Sequence, residues 1–338
     1  MKRKKLMPRI LDCTLRDGGY CNEWGWTKET ARQCYLASAA AGCDICEVGF
    51  RRSAPDKGTL YHTPESVLTD WFGDLRQSHD TQIALMAQMG TFTLADFPEK
   101  KDSVADMVRL LIAYHAVDQD DTRLDVALID ETVAMAAALA AKGYLVSINI
   151  GRADKLTDGM WKTIMARMQG KVDALYFADT YGSMTLADIR RLATLCVNHG
   201  LQAGFHFHNN MENGGEKARW AMEQGCEYID GTMGGYGRGS GNTKLECICP
   251  NPLAALVFVD EHLYGYQDAK DRDFQGYNVL YFLTALHKFH VNYAIELIHD
   301  LPKQSLSRIS AAYVRMQGEG KGNYYIKGAM AAALAAVT

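Results

Sequence analysis

Short runs rich in β-formers, each closing on Gly, Asp, His or Asn, recur along this chain and alternate with longer segments of helical periodicity. That alternation constrains the fold more than any other feature, because strands separated by helices pair in parallel and need a crossover each time. The rhythm predicts strands over residues 9–17, 44–50, 82–90, 107–115, 145–151, 174–182, 202–210 and 227–235. Between them lie crossover helices. "TKETARQCYLASAAAG" opens on a Thr cap with an acidic residue in its first turn and ends at Gly42, and "DETVAMAAALAAKG" ends at Gly143. Eight consecutive βα units predict a closed (β/α)8 TIM barrel, which commonly takes about 250 residues. The expected barrel domain is therefore 1–258. Residues 259–338 keep helical patterning without strand rhythm and predict a helical C-terminal subdomain on or across the barrel mouth. A doubly wound open sheet is disfavoured, since "GGYGRGSGN" does not space its glycines as G-x-G-x-x-G after a first strand.

With 48% hydrophobic residues the chain can fill a sizeable core. The formal charge of -4 has no charged block behind it except "KRKK" at the start, so a nucleic-acid or membrane surface is not expected. The Ala-rich runs near Met135 and Met330 are too short to span a bilayer, and no apolar leader core follows the basic start. The expectation is a soluble cytoplasmic protein. Nine cysteines, an odd number, read as small apolar residues in a reduced state. Cys43 with Cys46 and Cys247 with Cys249 have spacings that could hold zinc, but Cys46 runs into a strand and a structural role is the better reading.

In such a barrel the reacting groups stand at the carboxyl ends of the strands. Those ends carry Arg16 and Asp17, Glu47, His115, Asp179 and Thr180, His206 and His208, and a glycine-rich loop holding Asn242. His206 and His208 are separated by one residue, which on a strand turns both imidazoles to one face. Two inward imidazoles beside the carboxylate of Asp17 form a donor set suited to one divalent cation with open positions. Arg16 is then a fixed positive fork for an oxyanion forming on a bound substrate, with Gly18 and Gly19 turning the backbone away.

"DCTLRDG" from Asp12, "HFHN" from His206 and "GGYGRGSGN" ending at Asn242 occur in this order across the barrel. Together they resemble the hallmarks of the DRE-TIM metallolyases, which include 4-hydroxy-2-oxovalerate aldolases, hydroxymethylglutaryl-CoA lyase and acyl-CoA-dependent Claisen synthases. The resemblance implies Asp17, His206 and His208 as ligands of Mn2+ or Mg2+ and Asn242 as a further or supporting ligand. It implies Arg16 as the enolate-stabilising residue and Glu47 as the acid that orients this set. "ADTYGSM" resembles the aldolases' "ADSGGAM", and the loop lacks the cysteine of the CoA lyase, so the aldolase branch is the nearer one. Those aldolases carry a catalytic His where this chain has Tyr20. A free phenol titrates near 10 and is a poorer base at neutral pH. Tyr20 is therefore expected as a proton donor or relay, with His62 and His115 as substitute bases, and Tyr293 as a match to a tyrosine of the family's helical region.

The function implied is a metal-dependent aldolase that cleaves or forms a 4-hydroxy-2-oxoacid through a pyruvate enolate. A Claisen-type synthase and a barrel that binds metal without catalysis are the alternatives. Small 2-oxoacids and aldehydes are the expected partners. A homo-oligomer and an acylating aldehyde dehydrogenase partner follow from the resemblance alone. Arg51, Arg52 and Lys57 hint at an anionic group on the substrate, although a solvated loop is the plainer reading.

Overall fold

The computed structural model describes residues 8–112, 123–263, 279–321 and 324–337. Eight parallel strands close into a barrel in sequence order: β1 (Arg9–Asp12), β2 (Ile45–Phe50), β3 (Gln82–Gln88), β4 (Met107–Ile112), β5 (Leu145–Ile150), β6 (Ala174–Asp179), β7 (Gln202–Phe207) and β8 (Tyr228–Gly231). The ring closes where β8 pairs with β1, with Ile10 opposite Ile229 and Asp12 opposite Gly231. Val48, Val108, Ile148 and Phe205 pack outward under the surrounding helices, while Leu11, Ile45, Ala84, Met107 and Ala174 fill the inside at one end. This alternation follows from the two-residue repeat of a strand.

Strand β1 is shorter than expected. The chain leaves the sheet at Asp12, and Thr14–Asn22 forms a helix. Asp12 causes the change: its Oδ1 accepts from the backbone N of Thr14 at 2.9 Å and from the Thr14 hydroxyl, folding the chain over its own side chain. Arg16 and Asp17 thus stand in the first turn of a helix. Gly18 and Gly19 do not form a sharp turn. They are helical residues whose missing side chains admit aromatic rings, since a Cβ would lie 2.5 Å from the Tyr236 ring at Gly18 and 2.2 Å from the Trp24 ring at Gly19. Strand β7 likewise ends at Phe207, and His208 makes an isolated antiparallel bridge to Asn242.

Beyond the barrel, helices Val279–His287, Asn292–His299, Leu306–Gly318 and Ala329–Ala336 share a core of their own around Phe289, Tyr293, Tyr313 and Met330. They touch the loops after β5, β7 and β8. Lys288 pairs with Asp154 at 3.2 Å, Asn210 Nδ2 donates to Thr284 Oγ1 at 3.3 Å, and Arg238 Nη2 lies 3.3 Å from His290 Nε2. Among the described residues, no helix is long and apolar enough to cross a membrane.

Candidate active site

Above the apolar end of the barrel interior lies a layer that is charged and almost fully buried. Arg109 on β4 reaches across the inside, with Nη1 3.0 Å from Glu47 Oε2 on β2 and Nη2 2.6 Å from Asp230 Oδ2 on β8. Its guanidinium also lies 4.2 Å from the centre of the Tyr176 ring. Glu47 Oε2 accepts from Arg16 Nε at 2.7 Å, and Arg16 Nη1 lies 3.0 Å from Asp17 Oδ1. On the other side, Asp230 Oδ2 is 3.1 Å from His206 Nδ1, and His206 Nε2 is 3.3 Å from Asp17 Oδ2. The contacts close a ring: Arg16, Glu47, Arg109, Asp230, His206, Asp17. Charges alternate around it apart from the ion-paired imidazole, which compensates burial that isolated charges would not survive.

The ring decides the state of each member. Burial alone would raise the Asp17 carboxyl, but the Arg16 charge and the His206 hydrogen bond hold it well below the usual carboxylate range. Burial likewise works against charge on His206, and the bonds from Asp17 and Asp230 overcome it, so this imidazole titrates above its ordinary value. His208 differs: burial and the neighbouring His206 bring it down to about 4. Its Nδ1 lies 3.1 Å from the Thr180 carbonyl oxygen, which can only accept, so the ring proton sits on Nδ1. Nε2 of His208 is thereby left with its lone pair, whereas Nε2 of His206 faces Asp17 Oδ2 and offers a lone pair once it gives up the proton it places there, Nδ1 staying on Asp230.

One ligand atom from each of Asp17, His206 and His208 lies within 4.8 Å of the others. Asp17 Oδ2 faces His206 Nε2 at 3.3 Å, and both amide atoms of Asn242 are buried without a hydrogen-bond partner among the described residues. Gly237 lies between Asn242 and Asp17, where a Cβ would stand 2.3 Å from Asn242 Nδ2 and 3.8 Å from Asp17 Cγ. One carboxylate, the free lone pair of His208, a second imidazole that can release its Nε2 proton and a spare amide oxygen fit a divalent cation of the Mn2+ or Mg2+ kind. Cys13, His206 and Asp230 also converge. That set fits a cation poorly, since burial pushes the Cys13 thiol well up and Asp230 is committed to Arg109 and His206.

Asp17, His206 and His208 line a cavity of about 180 Å3 at the barrel mouth, together with Arg16, Tyr20 and Arg238. Tyr20 is 40% exposed at the rim, and the Arg238 guanidinium lies 4.6 Å from the centre of its ring. Glu47 sits beneath, acting on the cavity through Arg16. Tyr293 is elsewhere. It is buried in the core of the C-terminal helices, where its hydroxyl donates to the Tyr324 carbonyl and accepts from Ile326 N, both at 2.9 Å. His62 ends a short helix away from the cavity wall, and His115 lies outside the described residues.

Arg51 is turned to Glu65 and the Asp96 carbonyl, while Arg52 and Lys57 cover the rings of Tyr61 and Trp24, so none of the three lines the cavity. The cysteines are all free thiols, and among the described residues Cys43, Cys46, Cys247 and Cys249 do not converge. Sequence reasoning passed over Arg109, Asp230, Arg238 and His290. The lone Arg in "MVRLLI" and the Asp in "EYIDG" were visible as charges inside apolar strands, but not the contact between them.

Residues 101–263 match the HMGL-like family model. The chain is 25% identical over 301 residues to a 4-hydroxy-2-oxovalerate aldolase of Thermomicrobium roseum, covering 84% of this chain and 82% of that one. It is 26% identical over 247 residues to an oxaloacetate decarboxylase of Mycobacterium tuberculosis, covering 71% of this chain and 68% of that one. In fold it is similar to the N-terminal domain of a candidate aldolase from Bacteroides vulgatus, with a TM-score of 0.72 and 24% identity over 87% of this chain and 97% of that one.

Proposed function

From a chain that carries an HMGL-like domain over residues 101–263, we propose a divalent-metal-dependent aldolase that cleaves or forms a 4-hydroxy-2-oxoacid through a pyruvate enolate. The observation that supports this reading most is the convergence of Asp17, His206 and His208 beside Arg16 on one cavity wall. The similarity to 4-hydroxy-2-oxovalerate aldolases points the same way.

Asp17, His206 and His208 are the residues that hold the cation, which when bound supplies Lewis acidity toward the 2-oxo group. Arg16 is held on two sides, by Asp17 and Glu47, so its guanidinium is fixed before charge develops and costs no reorganisation when the enolate oxygen forms. Tyr20 lines the same cavity and is assigned as the relay for the proton of the C4 hydroxyl, its oxygen taking that proton as its own passes to solvent at the rim. As that proton leaves, the C3–C4 bond breaks, its electron pair passes into the enolate, the aldehyde departs, and C3 takes up a proton.

Deuterium exchange at C3 of pyruvate, followed by NMR with Mn2+ present, tests the enolate step without any aldehyde. Arg16→Ala is expected to slow it by about a hundredfold or more while Mn2+ still binds. Near-full exchange in that variant removes the role of Arg16, and no exchange in the parent protein removes the reading. The similarity to an oxaloacetate decarboxylase favours a second reading, loss of CO2 from a 2-oxo diacid to the same enolate. Catalysed CO2 release from oxaloacetate without cleavage of 4-hydroxy-2-oxoacids selects it.

A further inference from the structure

Arg16 and the Asp17, His206 and His208 set occupy one side of the cavity, and the opposite wall has a chemistry of its own. In a closed ring of eight strands, β3 stands across from β7 and β5 across from β1. Gln88 ends β3, and Asn149 lies near the carboxyl end of β5. Both line the cavity. The register sets them at one level, because Gln88 pairs with Leu111 of β4 and Leu111 pairs with Asn149. Their Cα atoms are therefore two strand spacings apart, about 10 Å around the wall. His208 follows β7 and Asp17 follows β1, so the two amides face the metal-binding set from the far side.

Both amides are open to the cavity. The main-chain oxygen of Gln88 accepts from Thr91, but its half-buried side chain meets no hydrogen-bond partner among the described residues. Asn149 is 2% exposed, and its Oδ1 accepts from the Ser147 hydroxyl at 3.1 Å. Ser147 lies two residues back along β5, toward the barrel interior, so this bond turns Oδ1 inward and leaves Nδ2 toward the cavity. Leu111, between them, is apolar. A donor enclosed against a methyl group loses its bond to water without return, whereas against a hydroxyl it regains one. A hydroxyl both donates and accepts, so it serves either amide, and a wall without charge suits it better than an anion.

The 2-oxo and carboxylate groups of the substrate are taken up beside Arg16, so the chain beyond C4 points to the opposite wall. A cavity of about 180 Å3, roughly six waters, holds only a short chain there. We infer that Gln88 and Asn149 bind a hydroxyl on the aldehyde half of the substrate, so that the aldehyde released or added is a short 2-hydroxyaldehyde of the glycolaldehyde or glyceraldehyde kind. This inference rests on the aldolase reading above. The atoms balance: the C4 hydroxyl gives up its proton, the C3–C4 bond breaks toward the enolate, C3 is protonated, and pyruvate and the hydroxyaldehyde leave.

The experiment compares addition of pyruvate to glycolaldehyde with addition to acetaldehyde, and to glyceraldehyde with addition to propanal, using the Mn2+-loaded full chain. Pyruvate C3 exchange in the same samples reports the enolate step separately. The expected result is a kcat/KM about ten- to hundredfold higher for the hydroxylated member of each pair. Q88M, which keeps the length of the side chain and removes the amide, is expected to lower that ratio about tenfold, and N149S provides the same comparison should Q88M fail to fold. The ratio in the parent protein stands without either variant. Pyruvate exchange with equal or better use of acetaldehyde and propanal overturns the assignment of the amides alone, as does a ratio that the folded variant leaves unmoved. Absence of pyruvate exchange overturns the aldolase reading, and this inference falls with it.

Discussion

Asp230 stands directly behind His206, its Oδ2 3.1 Å from Nδ1, while the opposite nitrogen of the same imidazole faces Asp17 at 3.3 Å. A carboxylate behind a ligand imidazole fixes the ring and keeps Nε2 as the lone-pair side. Asp230→Asn is therefore expected to weaken Mn2+ binding by about ten- to a hundredfold. Titration followed by electron paramagnetic resonance measures this. It also leaves Arg109 short of one partner inside the barrel, at a cost of about 3–5 kcal/mol in a urea titration. Unchanged Mn2+ affinity in a destabilised variant would make Asp230 purely structural.

Tyr20 separates chemistry from stability, because its side chain lies at the rim and its hydroxyl is the part assigned to proton transfer. Tyr20→Phe keeps the ring under Arg238 and should change stability by no more than about 0.5 kcal/mol. Aldol cleavage should fall by about a hundredfold or more, with the loss in kcat. A variant that cleaves at the parent rate would pass the proton to another group.

Tyr293 gives the opposite pattern. Tyr293→Phe removes a hydroxyl that makes two backbone bonds in the core of the C-terminal helices. Each such bond is worth about 1 kcal/mol, so thermal unfolding should come several degrees earlier while cleavage kinetics stay as in the parent. Loss of activity at full stability would return Tyr293 to the site.

Asp12 carries a pH dependence of the fold. Burial pushes its carboxyl up to about 6, outweighing the bonds from Thr14, Ser38 and Cys34. A folded value above the unfolded one means the stabilising contribution is complete below about 4 and is lost as the pH rises through 6. Asp12→Asn keeps the acceptor toward Thr14 and never charges. Its stability relative to the parent should improve by up to about 3 kcal/mol between pH 4 and pH 7.5. A difference that stays flat across that range would mean Asp12 is not protonated in the folded protein.

What could be read from the residues follows from how far each signal reaches along the chain. The strand and helix repeats are local, since each depends on side chains two to four positions apart, and so all eight units and the closed barrel were legible. The pairing of His206 with His208 was legible for the same reason, and Asp17 joined them because barrel strands present their carboxyl ends on one face. The switch from strand to helix at Asp12 was not, because "ILDCTLRD" is apolar enough for a strand and only the Asp12 carboxylate folding onto Thr14 ends it.

Least legible was the ion pair of Arg109 with Asp230, whose partners lie 121 residues apart. No window along the chain contains both. They meet only because closing the ring of strands sets β4 across the interior from β8, and once enclosed there each charge needs the other. Tyr293 shows the converse, a plausible residue type in a helical segment that packing turned into a separate core. By itself the sequence determined the barrel and that Asp17, His206 and His208 come together at its mouth. Tertiary closure alone decided which charges surround those side chains and that Arg238 reaches their cavity, because such contacts depend on three-dimensional proximity that local periodicity does not encode.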